Sequence, residues 1–222
     1  MFLRLITYIF TLLILSSIQV VLGQDFTLHT VNSHPNKLEE SLKNSLGSKG
    51  FQIIDDQKNL WCEIWIRQEI AVSEYAASPD AQYPSFHSGV LLGLIRFPSD
   101  ASDYRGLPIK PGIYTMRYGI IPQDGNHVGA APIVDFVLLI PVVEDVHDLD
   151  AKLTSNELVA LSRKASGTNH PTVINLAYPL DSIDKPLLEK DDLNHWILSL
   201  PIRLTTKKNI PFSIIVYGQA AG

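Results

Sequence analysis

The sequence predicts a mainly β protein, an antiparallel β-sandwich of immunoglobulin-like or jelly-roll type that carries two short helices. About eight short runs rich in Ile, Val, Leu and aromatic residues recur along the chain. Turn residues bound them, and 14 prolines and 13 glycines break the chain often. Helical periodicity shows in only two places, without the regular strand–helix alternation of a parallel doubly wound sheet.

Residues 1–23 read as a removable export signal. Met1 to Arg4 form a basic head, Leu5 to Leu15 an apolar stretch, and Val21-Leu22-Gly23 a small-residue cleavage site. A membrane anchor is the rival reading, because the apolar run reaches Leu22, but a single charge flanks it and no stop-transfer charges follow. Export to the periplasm or the medium is therefore expected, with no stable membrane anchor after cleavage. Residues 24–222 are then one sandwich domain.

The first helix is predicted over Asn36 to Leu46, where Leu38, Leu42 and Leu46 recur at spacing four and Gly47 is a stop. Strands follow at Phe51–Asp55 and Leu60–Ile70, joined by the polar tip Asp55 to Asn59, and at Gly89–Phe97, Gly112–Ile121 and Ile133–Ile140. Glu144 to Lys152 reads as a loop. The second helix runs from Ser155 to about Ala165, with a Thr154/Glu157 capping box, Arg163 and Lys164 near its end, and Gly167 beyond it. Strands at Thr172–Leu176, Asn194–Leu204 and Pro211–Tyr217 complete the pattern.

Alternation in the second strand places Trp61, Glu63, Trp65 and Arg67 on one face and Cys62, Ile64 and Ile66 on the other. An open face would offer two rings for stacking on a saccharide or another flat ligand. A covered face is preferred, because Trp is usually mostly buried. Cys62, the single cysteine, reads as an inert core thiol with no disulfide partner. Arg117 and Asp135 are charges inside apolar strands, and a hairpin in which their positions lie opposite predicts a cross-strand ion pair. Unpaired, Arg117 becomes an anion-binding candidate.

The chain holds 18 Lys and Arg against 23 Asp and Glu, a net charge of −5, with no basic cluster. Nucleic acid is excluded as a partner on that balance. Ligand candidates sit in two loops. Pro122 to Pro132 holds Asp124, Asn126 and His127, and Ser166 to Pro171 holds Asn169 and His170. If the loops meet, Asp124, His127 and His170 make a divalent-metal or acid–base site. The competing reading is turn chemistry, with Asp124 bonding its own backbone beside Gly125, and it is preferred because it needs no ligand. The common esterase, zinc-protease, phosphate-loop and dinucleotide signatures are missing.

Several passages in one order carry a resemblance: Cys62-Glu-Ile-Trp65, Gly89-Val-Leu-Leu-Gly93, Asp103-Tyr-Arg-Gly106, Pro111-Gly-Ile-Tyr-Thr-Met-Arg-Tyr118, Pro122-Gln-Asp-Gly-Asn-His127, Asp135-Phe-Val-Leu-Leu139 and Ser166-Gly-Thr-Asn-His-Pro171. On these the chain resembles a family of exported bacterial proteins to which no activity is attached. The resemblance implies export and brings no reaction with it.

The expected function is that of an exported, non-catalytic binding module that uses its loops. One alternative is a metal-binding protein or metal-dependent hydrolase built on Asp124, His127 and His170. Another is a structural or assembly partner of an envelope protein, acting through the Trp61/Trp65 face.

Overall fold

The computed structural model describes residues 24–122 and 131–219, and these form an antiparallel β-sandwich with helices on one outer face. Seven strands make the larger sheet: β1 (Phe26–Val31), β2 (Gly50–Asp55), β3 (Leu60–Ile66), β4 (Leu91–Phe97), β7 (Gly112–Ile120), β8 (Asp135–Pro141) and β9 (Val173–Asn175). They lie side by side in chain order, interrupted only by the two-residue strands β5 (Ala101–Ser102) and β6 (Pro108–Ile109), which pair with each other. The smaller sheet is β10 (Leu187–Lys190), β11 (Trp196–Arg203) and β12 (Asn209–Tyr217).

The inner face of the large sheet sends Cys62, Ile64 and Ile66 from β3 and Tyr114, Met116 and Tyr118 from β7 into one core with Leu198, Leu200, Phe212 and Ile214 of the small sheet. Between the sheets the Tyr83 hydroxyl donates to the Ala177 carbonyl and accepts from the Ser213 amide. One edge is stitched by a bridge between Leu176 and Ile214, and the other by the Trp196 indole donating to the Gln24 carbonyl.

The outer face is roofed by two helices, α1 (Glu40–Ser45) and α2 (Ser155–Ser166). Leu42 and Leu46 cover Trp65, Leu91 and Leu94, while Leu158 with Leu153 covers Phe136, Leu138 and Ile140. Burying one such leucine is worth about 1.5–3 kcal/mol. Thr154 and Glu157 form the predicted capping box, and Gly167 ends α2 at φ 65°, so that helix matches its sequence reading. α1 is shorter than predicted because Lys37 takes φ 65°, a left-handed conformation no helix interior accepts. β1 and β10 are strands that the apolar pattern did not predict.

Two expectations are corrected. Trp61 and Trp65 do not share a face. Ile53 pairs with Cys62 and Ile54 with Leu60, so Trp61 is the extra residue of a bulge. It turns onto the inner core beside Phe26 and Tyr217 and donates to the Val216 carbonyl, while Trp65 stays on the outer face under α1. Arg117 and Asp135 do not pair either. In the observed register Arg117 lies opposite Leu138 and Asp135 opposite Ile120. The register differs from the expected one by an odd step, which places Arg117 on the outer face and Asp135 on the inner one. Asp135 is fully buried, and its carboxylate accepts from the Tyr118 hydroxyl at 2.6 Å and from the Gln82 and Tyr83 amides.

Candidate functional site

The outward positions of β7 run Ile113, Thr115, Arg117, and the last two line a cleft between α1 and the segment after β8. The cleft measures about 600 Å³ and is lined by Leu42, Leu91, Val142 and His147 together with Lys37 and Ser41, both exposed. Val143 and Val146 stand on the rim at 82% and 87% exposed.

The far wall, residues 142–150, has no regular secondary structure and is fastened by two arginines. Arg117 places Nε 2.7 Å from Asp145 Oδ2, and both side chains are 1% exposed. Its remaining donors reach the carbonyls of Gly89, His147 and Asp148, so three carbonyls and a carboxylate surround one guanidinium. Thr115 adds a hydrogen bond from its hydroxyl to Asp145 Oδ2 at 2.6 Å. Beyond the end of β3, Arg67 donates to Asp150 at 2.6 Å and to the Leu91 carbonyl.

Burial opposes ionisation of Asp145, but hydrogen bonds from Arg117 and Thr115 and the charge of Arg117 outweigh it, and the carboxyl lies below its ordinary value. The Arg117–Asp145 bond is thus made inside the protein, while Asp150 of the wall is half-exposed and Glu144 pairs with Lys164 at the surface. The His147 ring, a third exposed, brings Nδ1 to 3.5 Å from Asp145 Oδ1.

The structure does not assemble the sequence-based site. Asp124, Asn126 and His127 lie outside the described residues. Asn169 and His170 are exposed in a turn after α2, where the Ser166 hydroxyl donates to the His170 carbonyl and the His170 amide donates to Thr168. Among the described residues no group of three or more His, Cys, Asp or Glu side chains could hold a metal ion. Trp65 is 1% exposed, in keeping with the covered face preferred from the sequence, and Trp61 packs against the inner core instead of sharing that face.

Burial pushes the Cys62 thiol far up, in keeping with an inert core residue. Lys37, Thr115, Asp145 and His147 escaped the sequence reading. The only signal was the density of Asp145, His147, Asp148 and Asp150 in a stretch read simply as a loop.

Among the described residues no helix is long and apolar enough to cross a membrane. Comparison of the chain with protein-family models, with curated proteins and with solved structures found no match to any of the three.

Proposed function

We propose that the chain is an exported binding module that seats a ligand in the cleft between α1 and residues 142–149 and performs no chemistry on it. The observation that carries this reading is the buried Arg117–Asp145 pair, which fixes an irregular segment against the sheet and so shapes a cleft of about 600 Å³. A preformed concave surface with apolar walls and a few polar groups at its mouth is the usual form of a ligand site.

The charged groups on its floor are engaged in holding the wall. Arg117 spends its donors on one carboxylate and three carbonyls, and Asp145 accepts from Arg117 and Thr115. That arrangement favours binding over proton transfer. Export rests on the basic head and apolar stretch of residues 1–23 and on the family resemblance.

Hydrogen exchange tests the proposal. The purified protein is compared alone and with a concentrated extract of envelope and medium small molecules. Protection confined to residues 37–42 and 142–149 is expected. Protection at other surfaces only, or turnover of an extract component by the protein, overturns it.

A further inference from the structure

We infer that His195 is a proton-operated latch: its charged ring ties residues 218–219, the segment after β12, to the turn between β10 and β11, and loss of the proton lets that segment go. The device stands apart from the cleft and does not depend on the binding role proposed above. The His195 side chain is 3% exposed, and both of its ring nitrogens meet acceptors. Nδ1 lies 2.8 Å from Asp191 Oδ2, and Nε2 lies 3.2 Å from the Gln219 carbonyl oxygen. A neutral imidazole carries one N–H and serves only one of these oxygens, whereas the imidazolium carries two and serves both. Deprotonation leaves a ring lone pair facing an oxygen lone pair inside the protein, where an unmade hydrogen bond is costly. The latch is therefore held at low pH and released as pH rises.

Three segments distant in the sequence meet on this ring. Asp191 Oδ1 accepts from the amides of Leu193 and His195, and the Asp191 amide donates back to the His195 carbonyl, with Asn194 at φ 65° turning the chain between them. Gly218 passes so close that a Cβ there would stand 2.5 Å from His195 Cδ2, and its φ of 142° is one that other residues rarely adopt. Tyr104, between β5 and β6, packs its ring against the imidazole with centroids 5.1 Å apart.

Asp191 is the charged group that faces the ring from the β10–β11 turn, and Tyr104 is the titratable group that faces it from the β5–β6 turn. Gly218 and Gln219 bring no ionisable side chain, Lys190 is drawn to Asp25 and the Trp196 ring, and Asp192 and Arg105 are exposed. Burial opposes ionisation of Asp191, but hydrogen bonds from the His195 amide and ring and from the Leu193 amide outweigh it, and the carboxyl lies below its ordinary value. Burial and the charge of Asp191 push the Tyr104 hydroxyl up. Between about pH 5 and 8 Asp191 stays charged and Tyr104 neutral, and imidazole is the side chain that changes charge in that range. Tyr104 and Gly218 also line a small cavity with Asp103, whose Oδ2 meets no donor among the described residues. Release of residues 218–219 opens that cavity to solvent.

The test is amide hydrogen exchange of the full chain at about pH 5.5 and about pH 8, either side of the imidazole range, corrected for the intrinsic change of rate with pH. Residues 104–106 and 217–219 are expected to exchange about tenfold faster at the higher pH, the worth of one charge-assisted hydrogen bond, while β7 and β8 keep their protection. His195→Gln should remove this pH dependence. Asp191→Asn keeps an Oδ1 that accepts from the Leu193 and His195 amides, so the turn retains its bonds, and it should lower the protection at the lower pH. That second variant decides the question if the glutamine variant does not fold. Equal corrected exchange at both pH values, pH dependence that survives His195→Gln, full low-pH protection in Asp191→Asn, or loss of protection spread over β7 and β8 overturns the inference.

Discussion

Arg117 and Asp145 form an ion pair at 2.7 Å, both side chains 1% exposed, between a strand of the large sheet and a segment that has no regular structure of its own. Taking either charge away leaves the other buried among partners too few to stabilise it. Asp145→Ala is expected to cost about 3–5 kcal/mol in urea unfolding. Arg117→Met combined with Asp145→Ala should cost clearly less than the sum of the single losses, because no orphaned charge remains. Additive losses would show that the pair is not coupled.

Acid sensitivity should divide into two windows. Asp145 sits below its ordinary 3.8 in the folded protein, so its contribution is complete above that value and is lost as pH falls below about 4. Asp103 behaves in the opposite sense. Burial raises it above 3.8 despite hydrogen bonds from the Leu107 and Arg105 amides, so the folded state takes up its proton first and stability is gained as pH falls through the raised value towards 3.8. Urea midpoints measured from pH 7 down to 2 should lose the upper limb in Asp103→Asn and part of the lower limb in Asp145→Asn. No change in either limb would refute the assignment.

α2 depends on its ends. Thr154→Ala removes the hydroxyl that accepts from the Glu157 amide and is expected to cost about 1 kcal/mol. Gly167→Ala places a side chain on a residue at φ 65° and should cost about 1–2 kcal/mol. Thermal unfolding followed by circular dichroism reads both, and an unchanged midpoint in either variant contradicts the capping role.

Solvent access should separate the tryptophans from ordinary surface probes. Acrylamide quenching of a Trp61→Phe, Trp196→Phe variant, which leaves Trp65 alone, should be weak in the native protein and strong in urea. Alkylation of Cys62 should likewise await unfolding and follow its rate, since the thiol is fully buried and held protonated. Rapid native reaction of either group would place it at the surface.

How far the residues announced the structure depends on whether the cause is local. α2 was legible to within one residue of its end because Thr154, Glu157 and Gly167 act within their own turns. The strands were legible from apolar runs, except where polarity hid them: β1 carries Thr27, His29 and Thr30, and β10 is only Leu187 to Lys190. Register was not legible, because nothing in β7 or β8 alone says whether Arg117 meets Asp135 or Leu138. The bulge at Trp61 arises from pairing with β2 and leaves no trace in the alternation of β3. The cleft was hidden for the same reason, since Arg117 finds its carboxylate 28 residues further along.

The strands that seal the inner core, residues 187–217, come after every strand of the larger sheet. While the chain emerges from the ribosome, Ile64, Met116 and Val137 therefore have no apolar cover across the sandwich until those last strands arrive. A nascent chain of this design leaves the inner face of its larger sheet bare until late in synthesis, an apolar surface open to association before the last strands close over it.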